Sequence, residues 1–369
     1  MQIEYLINIR YYSFIGTIGN AGVAESPSHN NERHFSSGFR GMESVDQLLK
    51  RVARLGIKRD YLQRVLPEWA GAYPPTSLTG LTELKIQLAR DLGLDLQSLS
   101  ESRDVAFRAL PTAPKFKRTK RQEVGKLAPA TSMFSALART LISACDKPYQ
   151  AIPADPKIVR KEIMQGGSLV TLPTLLDYLW GHGIPVAHYS DWPGKLPRPF
   201  AMVVDVDGRP AVIVGSPRKE NAWQLFFLAH ELGHIANGHI GRNEILVDGD
   251  EATDAEGTDD QEMEADDYAL VLLAGGKDIE LPPRGAKFDA LQRAARELAT
   301  TQKIDIGHLL LRFAMQTGAW QDAQLVIDKT EVGADAPALM NRDRAAEAVS
   351  LDKLSGQRQE FVRRVLALD

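Results

Sequence analysis

Cysteine is almost absent from this sequence, since Cys145 is the single cysteine among 369 residues. An internal disulfide is therefore excluded, and with it the class of small secreted proteins held together by disulfides. Cys145 lies in an apolar run that predicts a helix, where a buried thiol acts as a small hydrophobic side chain. This pattern is typical of a protein from the reducing cytoplasm, which is the location that the sequence predicts.

Long apolar runs are also missing, because no stretch approaches the roughly 18 residues of a membrane-spanning helix. The sequence therefore predicts no transmembrane segment and no membrane partner. A strong excess of one charge is absent too, with a formal net charge of −4 at pH 7. That balance argues against a chain that binds nucleic acid along its whole length, although local basic patches are compatible with it.

The first 41 residues lack hydrophobic periodicity. Their apolar stretch, 5–19, is interrupted by Arg10 and has no basic leader, so we do not expect a secretory signal peptide. Residues 20–41 are rich in Gly, Ser, Asn and His, which predicts a disordered extension over 1–41. Met42 is an alternative start to Met1.

The remaining length predicts two or three structural units. We expect a helical domain over 42–110, a basic linker bounded by prolines over 111–130, a central core over 131–285 and a helical region over 286–369. Ser44 is the predicted N-cap of the first helix. Residues 89–99 are similar to the last helices of helix-turn-helix repressor domains, but the usual Gln-x-x-Leu-Ala phrase is missing. The domain over 42–110 is therefore either a DNA-binding unit or a helical bundle, which is either a plain bundle or one that docks to a partner.

The most informative segment is 223–237, Trp-Gln-Leu-Phe-Phe-Leu-Ala-His-Glu-Leu-Gly-His-Ile-Ala-Asn, which contains the pattern His-Glu-x-x-His. Its polar members are His230, Glu231 and His234. Residues four apart on an α-helix lie about 40° apart and roughly 6 Å along the axis, so both imidazoles can reach one metal ion. Zinc suits imidazole nitrogen and keeps one position open for water in catalytic sites. It lowers the pKa of that water to about 7, and Glu231 could take the proton as a general base.

Apolar residues surround this motif on every side of the predicted helix, so the helix should be buried all round. Buried imidazoles and a buried carboxylate need partners, which favours a metal site over two surface histidines. Ser216-Pro217 is the predicted cap and first turn of the helix, and Gly238 is predicted to end it in a left-handed turn. The metzincin pattern fails here, because Gly238 and His239 are out of register with it.

A third metal ligand is expected from the segment Gln-Glu-Met-Glu-Ala-Asp-Asp-Tyr-Ala-Leu-Val-Leu-Leu, 261–273. Glu262 and Asp266 are one helical turn apart, so Glu262 can bind the metal while Asp266 orients a zinc-bound imidazole. Glu264 points about 200° away from Glu262 around that helix, so only one of the two can be the ligand. The alternative for Glu262 is an acidic face that is simply solvated.

These two phrases together resemble the ImmA/IrrE metallopeptidases, a gluzincin-like family, over about residues 130–325. The resemblance implies zinc ligands His230, His234 and Glu262, with Glu231 as the catalytic residue. By analogy with gluzincins, Asp266 is the carboxylate behind a zinc ligand. The chain departs from the family in its long acidic insert, and in Ala-Gly-Gly-Lys after Leu273 where many members have Leu-Met-Pro.

Strands are expected at 184–189, 200–206 and 211–214, and Asp207-Gly208 is a strong signal for a hairpin turn between the last two. We therefore predict an α+β fold, a mostly helical zincin-like core with a small antiparallel sheet. One strand of the hairpin is expected to be the edge that pairs with an extended substrate. Residues 244–260 carry eight acidic residues and no basic ones, which predicts a mobile acidic loop near the site.

Four further residues have open roles. His182, His188 and Tyr189 flank the first predicted strand and are candidates for stabilising an oxyanion. His308 is interpreted as a residue on a helix face and not as a ligand.

The predicted function is that of a cytoplasmic zinc endopeptidase that cleaves a helix-turn-helix transcriptional repressor, as the resemblance implies for stress or mobile-element control. The rival hypothesis is a DNA- or protein-binding regulatory module whose metal site is structural or inactive. Glu231 argues against the rival, because a purely structural site has no need of a base beside it.

Overall fold

The computed structural model of the chain describes residues 43–66, 69–70, 77–101, 104–110, 112–117, 124–166, 169–194, 196–248, 260–276, 279–285 and 288–368. The predicted extension over 1–41 lies outside these residues, and so does most of the predicted acidic loop, 249–259. Within the described ranges, no helix has both the length and the apolar character needed to cross a membrane.

The described chain begins with helices α1 (Val45–Ala53), α2 (Arg59–Val65), α3 (Leu78–Asp91) and α4 (Leu96–Ser100). Ser44 caps α1 as predicted, because its hydroxyl accepts from the backbone N–H of Gln47 while the Gln47 side chain accepts from the N–H of Ser44. This reciprocal pair is a capping box, which satisfies amide groups that a helix start leaves without partners.

The central and C-terminal parts are mainly helical. Their helices are α5 (Ala128–Ala144), α6 (Pro156–Gly166), α7 (Leu172–Gly181), α8 (Asn221–Ala236), α9 (Asp260–Ala274), α10 (Phe288–Gln302), α11 (Ile306–Thr317), α12 (Trp320–Thr330) and α13 (Gly356–Val365). A helical segment over 336–348, with a π-helical stretch at Leu339–Ala345, lies between α12 and α13.

One small sheet accompanies these helices. Its strands are β1 (Lys115–Lys117), β2 (Val186–His188), β3 (Ala201–Val206), β4 (Arg209–Val214) and β5 (Ile245–Asp248), in the order β1-β5-β3-β4-β2. β3 runs antiparallel to β4 and β5, whereas β1 is parallel to β5 and β2 is parallel to β4. The predicted α+β class with many helices and a small sheet is confirmed, but the sheet is mixed and not antiparallel throughout.

The predicted hairpin is present. Val206 pairs with Arg209, and Asp207 and Gly208 between them have φ values of 57° and 88°. A two-residue turn with both φ values positive matches the twist of the flanking strands. The expectation that one hairpin strand forms a sheet edge is wrong, because β5 pairs with the free side of β3 and β2 pairs with that of β4.

Two strands come from segments in which the sequence predicts no strand. β1 lies within the predicted linker 111–130, and β5 lies at the start of the predicted acidic loop 244–260. Ile245, Leu246 and Val247 are buried, so this short apolar run joins the sheet despite the acidic residues that follow it. A three- or four-residue strand shows little periodicity of its own, and its pairing partner is distant in the chain.

The sheet separates two hydrophobic clusters. Along β3, Met202 and Val204 belong to one cluster and Val203 to the other, and β4 alternates in the same way. The first cluster joins the sheet to α5, to the helices of 42–110 and to α13, and the second joins it to α6–α12. The domain boundaries at 110 and 130 stay a prediction, and this packing places the helices on both sides of them in a shared core.

Candidate metal centre

Helix α8, which carries the His-Glu-x-x-His motif, is buried almost throughout, as its apolar flanks predict. Its start is not where the sequence places it, since α8 begins at Asn221 and the prediction of Ser216-Pro217 as cap and first turn is wrong. Instead, the Glu331 carboxylate accepts from the backbone N–H groups of Asn221 (2.6 Å) and Ala222 (3.1 Å). A carboxylate from a distant helix end therefore satisfies the amides that a local cap would otherwise satisfy.

Helix α9 packs against α8 at Gly233, the glycine inside the motif. A Cβ at this position would lie 2.9 Å from both Cα and the carbonyl oxygen of Ala265, and 3.1 Å from Cβ of Tyr268. Only glycine allows this backbone approach. The approach matters for the site because Glu262 lies one turn before Ala265 on α9.

Glu262 meets the two histidines of α8 in the interior. Its Oε2 lies 3.5 Å from His230 Nε2 and its Oε1 lies 3.2 Å from His234 Nε2, while the two Nε2 atoms are 3.0 Å apart. The exposed fractions of the three residues are 2%, 0% and 7% for His230, His234 and Glu262. Their donor atoms lie within 4.8 Å of one another, so this buried cluster could hold a metal ion.

The outer nitrogens of both imidazoles also have partners. His230 Nδ1 lies 2.8 Å from Asp266 Oδ1, and His234 Nδ1 lies 2.9 Å from His239 Nδ1. A carboxylate at Nδ1 keeps the proton there and leaves the Nε2 lone pair directed at the cluster. Burial lowers the pKa of His234 to about 4, despite the opposing effect of Glu262, so this imidazole is neutral at pH 7 as metal binding requires.

Glu231, the predicted general base, follows His230 on α8 and has an exposed fraction of 0%. The structure thus brings the two histidines, Glu262 and Asp266 together where α8 meets α9, and it places Glu231 on α8 next to His230. The role of Glu231 as a base, and that of the other four in zinc binding, stay predictions.

The three candidates for oxyanion stabilisation are held by other contacts. Both ring nitrogens of His188 have partners, the Ser190 hydroxyl at 2.9 Å and the Ser216 carbonyl at 2.8 Å. His182 Nδ1 lies 2.8 Å from the carbonyl of Tyr178 at the end of α7. These contacts stabilise the chain around β2 and give no support to a catalytic role.

Tyr189 is buried in the first hydrophobic cluster, where its hydroxyl lies 2.8 Å from that of Tyr61 and its ring stacks on Phe134. His308 lies on α11 with an exposed fraction of 0%, and burial lowers its pKa to about 3. Within the described ranges its ring nitrogens have no hydrogen-bond partner. His308 is thus a neutral core residue, outside the group that could hold a metal.

Two residues near the cluster were not expected from the sequence to act together. His239, where the metzincin pattern fails, has its ring against the ring of His234, and its Nε2 lies 2.8 Å from Glu264 Oε2. The glycine before it, which ends α8, is the one local signal of this arrangement. No protein-family model, curated protein or solved structure that we compared with the chain matches it.

Proposed function

We propose that this chain is a zinc-dependent endopeptidase with a zincin-like core. The observation that carries the proposal is the convergence of Glu262 from α9 with His230 and His234 from α8. Two imidazoles and one carboxylate are one of the ligand sets that proteins use in catalytic zinc sites, and such sites keep a fourth position for water. Magnesium and calcium prefer sets of oxygen ligands, so the donors favour zinc.

The chain's own residues have separate tasks in this proposal. Zinc, when bound, supplies a Lewis acid that polarises the substrate carbonyl and acidifies a water molecule. Glu231 accepts the proton of the attacking water and passes it to the leaving amide nitrogen. Asp266 holds the ring of His230 so that Nε2 faces the cluster. The buried surroundings exclude bulk water and strengthen these electrostatic interactions.

The substrate proposed is a protein segment in extended conformation. β1 is one end of the sheet order among the described strands, so an extended substrate could pair with its outer side. Lys115 of β1 donates to the His239 carbonyl at 3.1 Å, so β1 begins close to the end of α8. The resemblance of the two motifs to ImmA/IrrE peptidases supports a helix-turn-helix repressor as the substrate, in the cytoplasm.

Metal analysis and one conservative variant test the proposal together. Purified protein is expected to hold about one zinc per chain, and His234→Ala to lose it. Glu231→Gln keeps the shape and the zinc but cannot accept a proton, so cleavage should decrease by at least ~10²-fold. Exposed Glu297 on α10 provides a matched control, and Glu297→Gln should cleave like the wild type.

The cleavage assay is incubation with the repressors of the source cells, followed by mass spectrometry of newly formed termini. New termini that appear with the wild type and not with Glu231→Gln support the peptidase. If zinc is bound and the biological activity is the same in Glu231→Gln, the rival hypothesis of a binding module with a structural or inactive metal site replaces it. DNA binding by residues 42–110 stays a prediction.

A further inference from the structure

The end of α8 folds back on itself at Gly238. Gly238 has a φ of +70°, its N–H donates to the carbonyl of Ile235 at 3.2 Å, and the next N–H, of His239, donates to the carbonyl of His234 at 3.0 Å. These two bonds and the left-handed glycine form a Schellman motif. The motif brings His239 back over the last turn of α8, where His234 lies.

The side chains then form a continuous chain of contacts that ends at the surface. His234 Nδ1 lies 2.9 Å from His239 Nδ1, and His239 Nε2 lies 2.8 Å from Glu264 Oε2. The ring of His239 is buried, with a side-chain exposure of 4%, whereas the Glu264 side chain is 61% exposed. Glu264 and Glu262 both belong to α9, so this helix contacts His234 directly through Glu262 and indirectly through the contact of Glu264 with His239.

We propose that His239 and Glu264 are positioning residues that set the tautomer of His234 and aim its Nε2 at the metal, an inference that rests on the proposed zinc site. The donor and acceptor of each hydrogen bond can be assigned in order, from Glu264 at the surface through His239 to His234. A carboxylate oxygen accepts, so His239 donates from Nε2–H, and in the tautomer with its proton on Nε2 the Nδ1 atom accepts. His234 must therefore donate from Nδ1–H, which leaves the lone pair of its Nε2 for the metal.

The two histidine ligands are thus oriented by different means. His230 has Asp266 in direct contact, while His234 reaches its carboxylate through a second imidazole. Lys115 also holds the backbone of His239 in place. Its Nζ donates to the His239 carbonyl and forms an ion pair with Glu244 at 2.6 Å. Removing a group that orients a ligand typically costs about 10- to 100-fold in metal affinity.

Zinc affinity, measured by competition with a chromogenic chelator, tests the inference in the full chain. His239→Leu keeps the volume but removes both hydrogen bonds, so the dissociation constant for zinc should rise about 10- to 100-fold. His239→Asn places an amide oxygen where Nδ1 was, so it should recover most of the zinc affinity that His239→Leu loses. Glu264→Ala, at an exposed position that tolerates substitution, should weaken binding several-fold, and Asp267→Ala on the exposed side of α9 should not.

A spectroscopic readout separates positioning from simple packing. In long-range ¹H–¹⁵N spectra of the zinc-loaded protein, His234 should carry its proton on Nδ1 and His239 on Nε2. The opposite tautomers, or wild-type zinc affinity in both His239→Leu and Glu264→Ala, would overturn the inference while leaving the zinc site intact. A wild-type chain that binds no zinc would overturn the proposed function and this inference with it.

Discussion

Gly233→Ala tests how the candidate metal centre is assembled. The new Cβ would lie 2.9 Å from backbone atoms of Ala265, whereas ordinary carbon contacts are about 3.5–4.0 Å. Helices α8 and α9 must therefore separate by roughly half to one ångström. Overpacking of this kind costs about 1–3 kcal/mol, and alanine returns about 1 kcal/mol through its higher helix propensity. We expect a net loss of about 1 kcal/mol in the free energy of unfolding.

The larger effect should be on zinc. A displaced α9 carries Glu262 away from the two histidines, and we expect zinc affinity to decrease by about tenfold, which equals about 1.4 kcal/mol. Chelator competition measures the affinity, and urea unfolding of the zinc-free protein measures the stability.

The matched control is Gly181→Ala at the end of α7, where an added Cβ meets no atom within 4 Å. This variant should gain about 0.4–1 kcal/mol in stability and bind zinc like the wild type. If Gly233→Ala matches Gly181→Ala in stability and in zinc affinity, the close packing of α8 and α9 does not position Glu262, and the reasoning is refuted.

Three further predictions concern stability. Arg160→Met removes the guanidinium that donates to the carbonyls of Leu272 and Leu273, in the last turn of α9, at 2.9 and 2.7 Å. This variant should lose about 2–3 kcal/mol in urea unfolding, whereas Lys161→Met at the exposed neighbouring position should lose almost nothing; equal losses would contradict this. The second prediction concerns Glu331, whose pKa burial raises from 4.5 to about 7. The folded chain therefore binds this proton more tightly than the unfolded chain does, and the free energy of unfolding decreases as pH rises from 4.5 to 7. After allowance for solvent screening the decrease is about 1–2 kcal/mol, and Glu331→Gln should lack it in unfolding curves recorded across that range; parallel pH profiles would contradict this. Removing zinc with a chelator should lower the melting temperature of the wild type and not that of His234→Ala, since a ligand at 1,000 times its dissociation constant stabilises by about 4 kcal/mol.

The local structure of helix α8 and of the hairpin follows largely from residues that are neighbours in the sequence. Apolar flanks on all sides predict the buried helix α8, and Gly238 predicts its left-handed end. The Asp207-Gly208 pair likewise predicts the hairpin between β3 and β4. These features depend on backbone preferences and periodicity within a few residues, which a sequence displays directly.

Contacts between distant residues account for what was wrong or missed. The carboxylate of Glu331 takes the place of the predicted Ser216-Pro217 cap at the start of α8. Strands β1 and β5 depend on partners far along the chain, so the sheet is mixed and the hairpin lies in its centre. No local sequence pattern specifies which distant residue a side chain or a short strand will contact after folding.

The sequence by itself determined two donors of the candidate site, because a four-residue spacing on any helix places His230 and His234 on one side. It also limited the third donor to the acidic turn around Glu262. Tertiary structure alone decided that α9 comes close enough for Glu262 to join them, through the missing side chain at Gly233. It alone decided the contact of His239 with Glu264 as well. The meeting of two helices depends on the packing of the whole core and not on the residues that they carry at the site.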